Sequence, residues 1–314
     1  MTFHPGTVLL TGGAGFVGSS IARRLVELGV DVHLLFRPGS DLWRVRDFQS
    51  QIHFHESDLL DEPRTLKVFR SVNPEAVLHL AAYGGHPEEK DADRILRTNF
   101  LGFWNVLRAC VPTRCELIVN AGSSSEYGFK GHASRETDLL EPNSFYAVSK
   151  AAATHLGRYA SRLERFSIAT LRLGSVFGPY EAPTRLIPTV IQRSLLGQPL
   201  DMVDPETGRD FVFIDDVVRA FTSWDRLRAL KGDSVNIGSG IQSTVRDALE
   251  TILDLTGSQS VVRWNRMPPR IWDTKTWVSD ISQARLKLDW IPRVSFREGI
   301  KQTIEWHCAR MVKA

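Results

Sequence analysis

Short apolar runs alternate with amphipathic stretches through the first 173 residues. Val8-Leu9-Leu10 breaks into Thr11-Gly12-Gly13-Ala14-Gly15-Phe16-Val17-Gly18, after which Ile21, Leu25 and Leu28 recur at helical spacing. Gly29 closes that helix, and Val32-His33-Leu34-Leu35-Phe36 reads as a second strand. Further strands are expected at 52–54, 76–80, 117–120 and 168–173, with helices near 61–71, 91–110 and 145–164. Strands alternating with helices of this length predict an α/β fold, a doubly wound parallel sheet of the Rossmann kind.

After Leu173 the rhythm loosens, and Pro179, Pro183, Pro188, Pro199, Pro205, Pro268-Pro269 and Pro292 punctuate shorter elements. They predict a smaller, mixed α/β C-terminal lobe. The expected boundaries are 1–174 for the sheet domain, with 206–224 and 233–258 rejoining it, and 175–205 with 259–314 for the lobe. Val235-Asn236-Ile237 is the segment expected to return to the sheet.

Composition narrows the class. At 314 residues, with 42% hydrophobic and 24% charged residues, the chain can bury a large core and is not a disordered tract. A net charge of +3 without a basic run gives no reason to expect nucleic acid, and no apolar run approaches the roughly 18 residues of a membrane span. Cys110, Cys115 and Cys308 are an odd number without CxxC spacing, so neither a disulfide framework nor a metal site is read from them. The expectation is a soluble, cytoplasmic protein with reduced thiols.

Gly12, Gly15 and Gly18 follow the first strand and open the first helix. There they allow a tight turn, close approach of a pyrophosphate, and close packing of helix on strand. The backbone N–H groups of Phe16 and Val17 would face that anion. A dinucleotide lacking a 2′-phosphate usually meets an acidic residue at the end of the second strand. This chain has Phe36-Arg37 instead. Arg37, helped by Ser40, therefore favours NADP(H), with NAD(H) as the alternative.

Tyr146 and Lys150 lie at i and i+4 on one helical face, where an ammonium would lower the phenol's pKa towards proton exchange at neutral pH. Asn120-Ala121-Gly122-Ser123-Ser124-Ser125-Glu126-Tyr127-Gly128 begins where a strand ends, so a serine hydroxyl there could polarise the reacting oxygen. Alone, each pattern also suits an ordinary helix or turn.

Together these residues resemble the extended short-chain dehydrogenases that epimerise, dehydrate or reduce nucleotide sugars. The resemblance runs over essentially the whole chain: TGGAGFVG at 11–18, Asp58-Leu59, His79-Leu80-Ala81-Ala82, Asn99, SSSEYG, YAVSK, and the run from Arg209 to Asp216. It implies cofactor contacts from Asp58, Leu59, Leu80, Ala81, Ala82 and Asn99, and a serine joining the Tyr-Lys pair. Ser123 and Ser124 both qualify, with Ser124 preferred. It also implies substrate contacts from Tyr83, Ser125, Glu126 and Ser175, and a grip on the sugar diphosphate from Arg209 and Arg270. Homodimers through the helices near 91–110 and 145–164 are a further implication; Phe103, Trp104 and Leu107 are compatible with that contact and equally with packing on the sheet.

A dehydratase of this family would use Glu126 as base, but here it is offset from the usual spacing and the partnering aspartic acid is absent. The expected reaction is net reduction of a 4-keto-6-deoxy nucleotide sugar by NADPH. Epimerisation and 4,6-dehydration are the alternatives, and a non-catalytic NADP sensor is a distant third.

Overall fold

A computed structural model describes residues 2–86, 88–268, 270 and 273–311. Strands β1 (Thr7–Thr11), β2 (Asp31–Phe36), β3 (His53–Glu56), β4 (Ala76–His79), β5 (Leu117–Ser123) and β6 (Ser167–Leu173) join Ser234–Ile237 in one seven-stranded sheet. Its order is Ser234–Ile237, β6, β5, β4, β1, β2, β3, and every neighbouring pair is parallel. The expected α/β architecture is present. Strand order reverses between β1 and β4, and a crevice opens beyond the C-terminal ends of strands at such a point.

The strands are apolar throughout because both faces are covered. Successive side chains alternate sides, so Val8, Leu10, Leu34, Leu78 and Val119 build one core, and Leu9, Leu35, Val77 and Ile118 the other. The helices that supply the cover include α1 (Phe16–Glu27), α2 (Glu62–Val72), α3 (Ala92–Leu96), α4 (Gly102–Cys110) and α5 (Phe145–Leu163), joined by the later helices Ile214–Phe221 and Trp224–Ala229. Local signals place their starts. Asp61 accepts from the Arg64 N–H to cap α2, and Ser144 accepts from the Ala147 N–H to cap α5.

Several expectations shift. β5 runs three residues past Asn120, because β6 pairs with it as far as Ser123 opposite Leu173. The third strand starts at His53, since Ile52 closes a 3-10 turn over Arg46–Gln51. The expected helix near 91–110 is α3 and α4 joined by a π-helical turn, Arg97–Leu101. Phe211–Phe213 does not join the main sheet; it pairs in parallel with Ser175–Phe177. Phe103 and Leu107, candidates for a dimer face, are buried in the core, whereas Trp104, Leu101 and Val148 are exposed. Pro269, Ile271 and Trp272 lie outside the described residues.

Among the described residues no helix is long and apolar enough to cross a membrane. Cys110 and Cys115 are buried, Cys308 is exposed, and all three are free thiols.

Candidate active site

The glycine turn sits at the strand-order reversal and presses against the chain leaving β4. Gly12 has φ +71°, and a Cβ there would lie 2.5 Å from the Ala81 nitrogen and 2.6 Å from the Leu80 carbonyl carbon. Only glycine lets the two segments meet this closely. The Leu80 N–H donates to the Thr11 carbonyl at 3.0 Å, which ties them together. A Cβ on Gly18 would fall 2.3 Å from the Gly12 oxygen, so the helix also packs directly on the turn. Helix α1 starts at Gly15 without a side-chain cap and without an acid in its first turn. The N–H groups of Phe16, Val17 and Gly18 are thus left for an external anion, and the helix dipole adds to the attraction. These features fit the pyrophosphate of a dinucleotide.

Behind the turn, His79 is fully buried, with Nδ1 2.8 Å from Thr11 Oγ1 and its ring stacked on Phe103. Burial, followed by the nearby Lys150 charge, pushes its pKa down to about 3. The unfolded imidazole takes up a proton near its ordinary 6.5, whereas the folded one refuses it until about 3. This contribution to stability is therefore complete above pH 6.5 and is lost as pH falls towards 3, by an amount on the order of 5 kcal/mol. Urea unfolding of the wild type and of His79→Gln at pH 7 and pH 4.5 checks this. The variant is expected to show the smaller acid loss, and equal losses would assign the effect to other groups.

The remaining cofactor expectations find varied places. Asp58 Oδ1 accepts from the Leu60 N–H at 2.9 Å and shapes the turn after β3, while Leu59 packs into the core beneath α4. Arg37 is exposed just past β2. The Ser40 hydroxyl donates to the Arg37 carbonyl at 2.7 Å, so it folds the loop. Ala82 is exposed next to the half-buried Ala81. Asn99 was expected to touch the cofactor, but it is buried in the π turn. Its Oδ1 accepts from the Tyr83 N–H at 2.8 Å, and its Nδ2 donates to the Tyr83 carbonyl at 2.8 Å and to Ser149 Oγ at 2.9 Å. It therefore ties the loop after β4 to helix α5. Arg44 was not singled out from the sequence. Its Nε donates to the Tyr180 carbonyl at 2.8 Å and Nη1 reaches the Ala14 carbonyl at 3.5 Å, which sets a guanidinium beside the glycine turn.

Ser123, the last residue of β5, lies beside Tyr146 of α5, whereas the preferred Ser124 does not. The Ser124 hydroxyl accepts from Trp277 Nε1 at 3.1 Å. The extension of β5 to Ser123 carries that hydroxyl to the phenol. Lys150 Nζ donates to the Ala121 carbonyl at 2.9 Å and stands 5.8 Å from the centre of the Tyr146 ring. Burial pushes the Tyr146 phenol up to about 12, opposed by the Ser123 hydroxyl and the Arg185 charge. Burial also lowers the Lys150 ammonium to about 8. The expectation that Lys150 makes the phenol acidic is corrected: here desolvation dominates, and Tyr146 stands at neutral pH as a proton donor.

Glu126 is also reassigned. It is fully buried. Oε1 accepts from the Ser123 N–H at 2.9 Å, and Oε2 accepts from Thr154 Oγ1 at 2.9 Å and from Arg172 Nε at 2.8 Å. A base must come within reach of its proton, and this fully buried carboxylate, with three donors already on it, has no such access. Ser125 shares a 2.8 Å hydrogen bond with the Ser123 hydroxyl. Ser175 donates its N–H to the Asp210 carbonyl at 2.7 Å.

A cationic group flanks the phenol. Arg209 Nη2 donates to Asp273 Oδ1 at 2.7 Å, and the Arg270 N–H donates to Asp273 Oδ2 at 2.9 Å, so one aspartate gathers both arginines. Burial lowers the Arg270 pKa, and repulsion from Arg209 and Arg185 lowers it further. Arg185, whose Nη1 donates to the Gly85 carbonyl at 3.0 Å, is close enough for its charge to act on both Tyr146 and Arg270. The sequence carries no signal for Arg185, which sits in a loop between prolines. Asp273 on Arg209 and Glu181, 3.8 Å from Arg185, offset part of this charge, and three guanidinium groups gathered here suit a diphosphate.

The family model for the NAD dependent epimerase/dehydratase family matches residues 8–238. The chain belongs to that family. Within it, the chain is 28% identical to the dTDP-glucose 4,6-dehydratase of Neisseria gonorrhoeae, across 96% of this chain and 95% of that one. The UDP-glucose 4-epimerase of Thermus thermophilus, solved with NAD, is 30% identical, with a TM-score of 0.85 over 96% of this chain and 98% of that one. That of Thermotoga maritima, solved with UDP-glucose, is 27% identical, with a TM-score of 0.87 over 97% and 99%. This family member is thus an extended short-chain dehydrogenase/reductase, an enzyme of nucleotide-sugar chemistry.

Proposed function

We propose that the protein carries out oxidation and reduction at a single ring carbon of a nucleotide-activated sugar, in the direction of reducing a 4-keto-6-deoxy sugar. The observation that carries this reading is the Ser123, Tyr146 and Lys150 group with Glu126 shut away behind it. One proton donor serves a carbonyl oxygen. Elimination across two carbons needs a further base, and the carboxylate expected to supply it is committed to Arg172.

A nicotinamide dinucleotide, when bound, supplies the hydride. Phe16, Val17 and Gly18 would hold its pyrophosphate, and Arg37 would meet a 2′-phosphate, which supports NADPH over NADH. Tyr146 gives its proton to the substrate oxygen, Ser123 hydrogen-bonds that oxygen, and Lys150 fixes the site from the Ala121 carbonyl. Arg185, Arg209 and Arg270 would grip the diphosphate, with Tyr83 and Ser175 nearer the sugar. We place the substrate lobe at 175–205 and 259–314, and a homodimer contact on the exposed side of α4 and α5 around Trp104 and Val148.

A second reading, 4-epimerisation, is favoured by the likeness to the UDP-glucose 4-epimerase of Thermus thermophilus. Purified protein incubated with keto-sugar nucleotides and either cofactor separates the two. Net, stoichiometric loss of NADPH, with the preference reversed in Arg37→Asp, is the expected outcome. Turnover of a UDP-hexose without net cofactor change would replace it with the second reading.

A further inference from the structure

At the opposite end of the sheet from the glycine turn, the first residues of β2 and β3 bring three histidines and an aspartate together on one face. His33 pairs in register with His53, Asp31 lies two residues before His33, and His55 lies two residues after His53. Side chains at i and i+2 share a face, so the four converge although they come from two strands. His33 Nε2 is 3.0 Å from Asp31 Oδ2, and His53 Nε2 is 3.2 Å from Asp31 Oδ1. The His33 ring stacks on His53 with centroids 4.6 Å apart. On its other side, His33 Nδ1 is 2.9 Å from His55 Nε2.

We propose that Asp31, His33 and His53 form a zinc-binding site, with His55 orienting His33. One ligand atom from each of the three lies within 4.8 Å of the others. With bonds of about 2.0–2.1 Å, a tetrahedral zinc holds neighbouring ligand atoms about 3.3 Å apart. The two separations to Asp31 are already close to that value. Two imidazoles and a carboxylate are ligands zinc accepts, and solvent completes the fourth position. Without metal, a neutral imidazole donates its Nε2–H to Asp31. A divalent cation bound at Nε2 takes that place as the ring's one proton passes to Nδ1, so the imidazole stays neutral and no net proton is released. For His33 that Nδ1–H points at His55 Nε2, the kind of outer hydrogen bond that fixes tautomer and ring orientation.

His55 Nε2, 2.9 Å from His33 Nδ1, is placed to accept the Nδ1–H of a His33 that binds through Nε2. The site lies four residues of strand from Arg37, about 13 Å at ~3.3 Å per residue, so an ion here would sit apart from the catalytic group. It would clip the edge strand β3 to β2. Sequence spacing hides the set, since Asp31-x-His33 and His53-x-His55 meet only through the parallel pairing.

The test uses the full-length, tag-free protein after chelation and dialysis. Zinc titration by calorimetry at pH 7.5 is expected to show one tight equivalent per chain and a rise in melting temperature. His53 is exposed, so His53→Ala leaves packing intact and is expected to abolish that equivalent, as is Asp31→Asn. His55→Ala is expected to weaken affinity by about 10–100-fold while keeping the stoichiometry. Cobalt(II) in place of zinc is expected to give the visible absorption of a tetrahedral nitrogen–oxygen site, lost in His53→Ala. An unchanged tight equivalent in His53→Ala, or no binding to the wild type at millimolar zinc, overturns the proposal.

Discussion

Tyr146→Phe is expected to lower kcat by about 10²–10⁴-fold, the usual worth of a positioned acid, while dinucleotide affinity changes little. The substitution removes one oxygen and keeps the ring. Helix α5 is held independently of that oxygen: Ser144 caps it, Ser149 Oγ donates to the Tyr146 carbonyl at 2.7 Å, and Asn99 ties Ser149 to the loop after β4. The glycine turn is built by β1, β4 and α1, so it does not depend on the phenol either. Single-turnover kinetics on the sugar nucleotide, paired with fluorescence titration of the cofactor, reads both quantities. A kcat within a few-fold of wild type would remove the phenol from the chemistry. Loss of cofactor binding together with activity would recast it as a structural group.

Glu126→Ala is expected to cost about 3–5 kcal/mol of stability, because it strands a buried charge. Arg172 lies behind the site with Nε on Glu126 and Nη1 on the Tyr127 hydroxyl at 2.9 Å. That hydroxyl in turn donates to Asn236 Oδ1 at 2.7 Å, so the network reaches the edge strand Ser234–Ile237. Burial raises the Tyr127 phenol to about 12, which leaves it a neutral partner unable to neutralise the guanidinium. Chemical denaturation of the alanine variant reads the loss. Glu126→Gln discriminates further: a structural carboxylate predicts a destabilised protein that still turns over, whereas a catalytic base predicts a stable one that does not.

How far the residues alone could be read follows from the kind of signal each leaves. Hydrophobic period and glycine punctuation operate within a few residues, so the six strands, the turn at Gly12 and the Tyr146–Lys150 face were legible. The choice between Ser123 and Ser124 was not, because it depends on how far β6 extends the pairing of β5. Arg185 and Arg44 reach their places through loops with no periodicity. Glu126 shows the reverse failure, since an acid beside a serine motif resembles a catalytic group until its partner, 46 residues away, is seen. Phe103 and Leu107 suit a dimer face and packing on the sheet equally in one dimension, and the structure places both in the core.

The bond from Trp277 to Ser124 spans 153 positions of chain and ends one residue from the hydroxyl that neighbours the phenol. A change of side chain in the last seventh of the polypeptide can therefore be felt at the reacting oxygen through a single contact. The surroundings of Ser123 can thus change from the C-terminal segment while Ser123, Tyr146 and Lys150, all in the first half of the chain, keep their places.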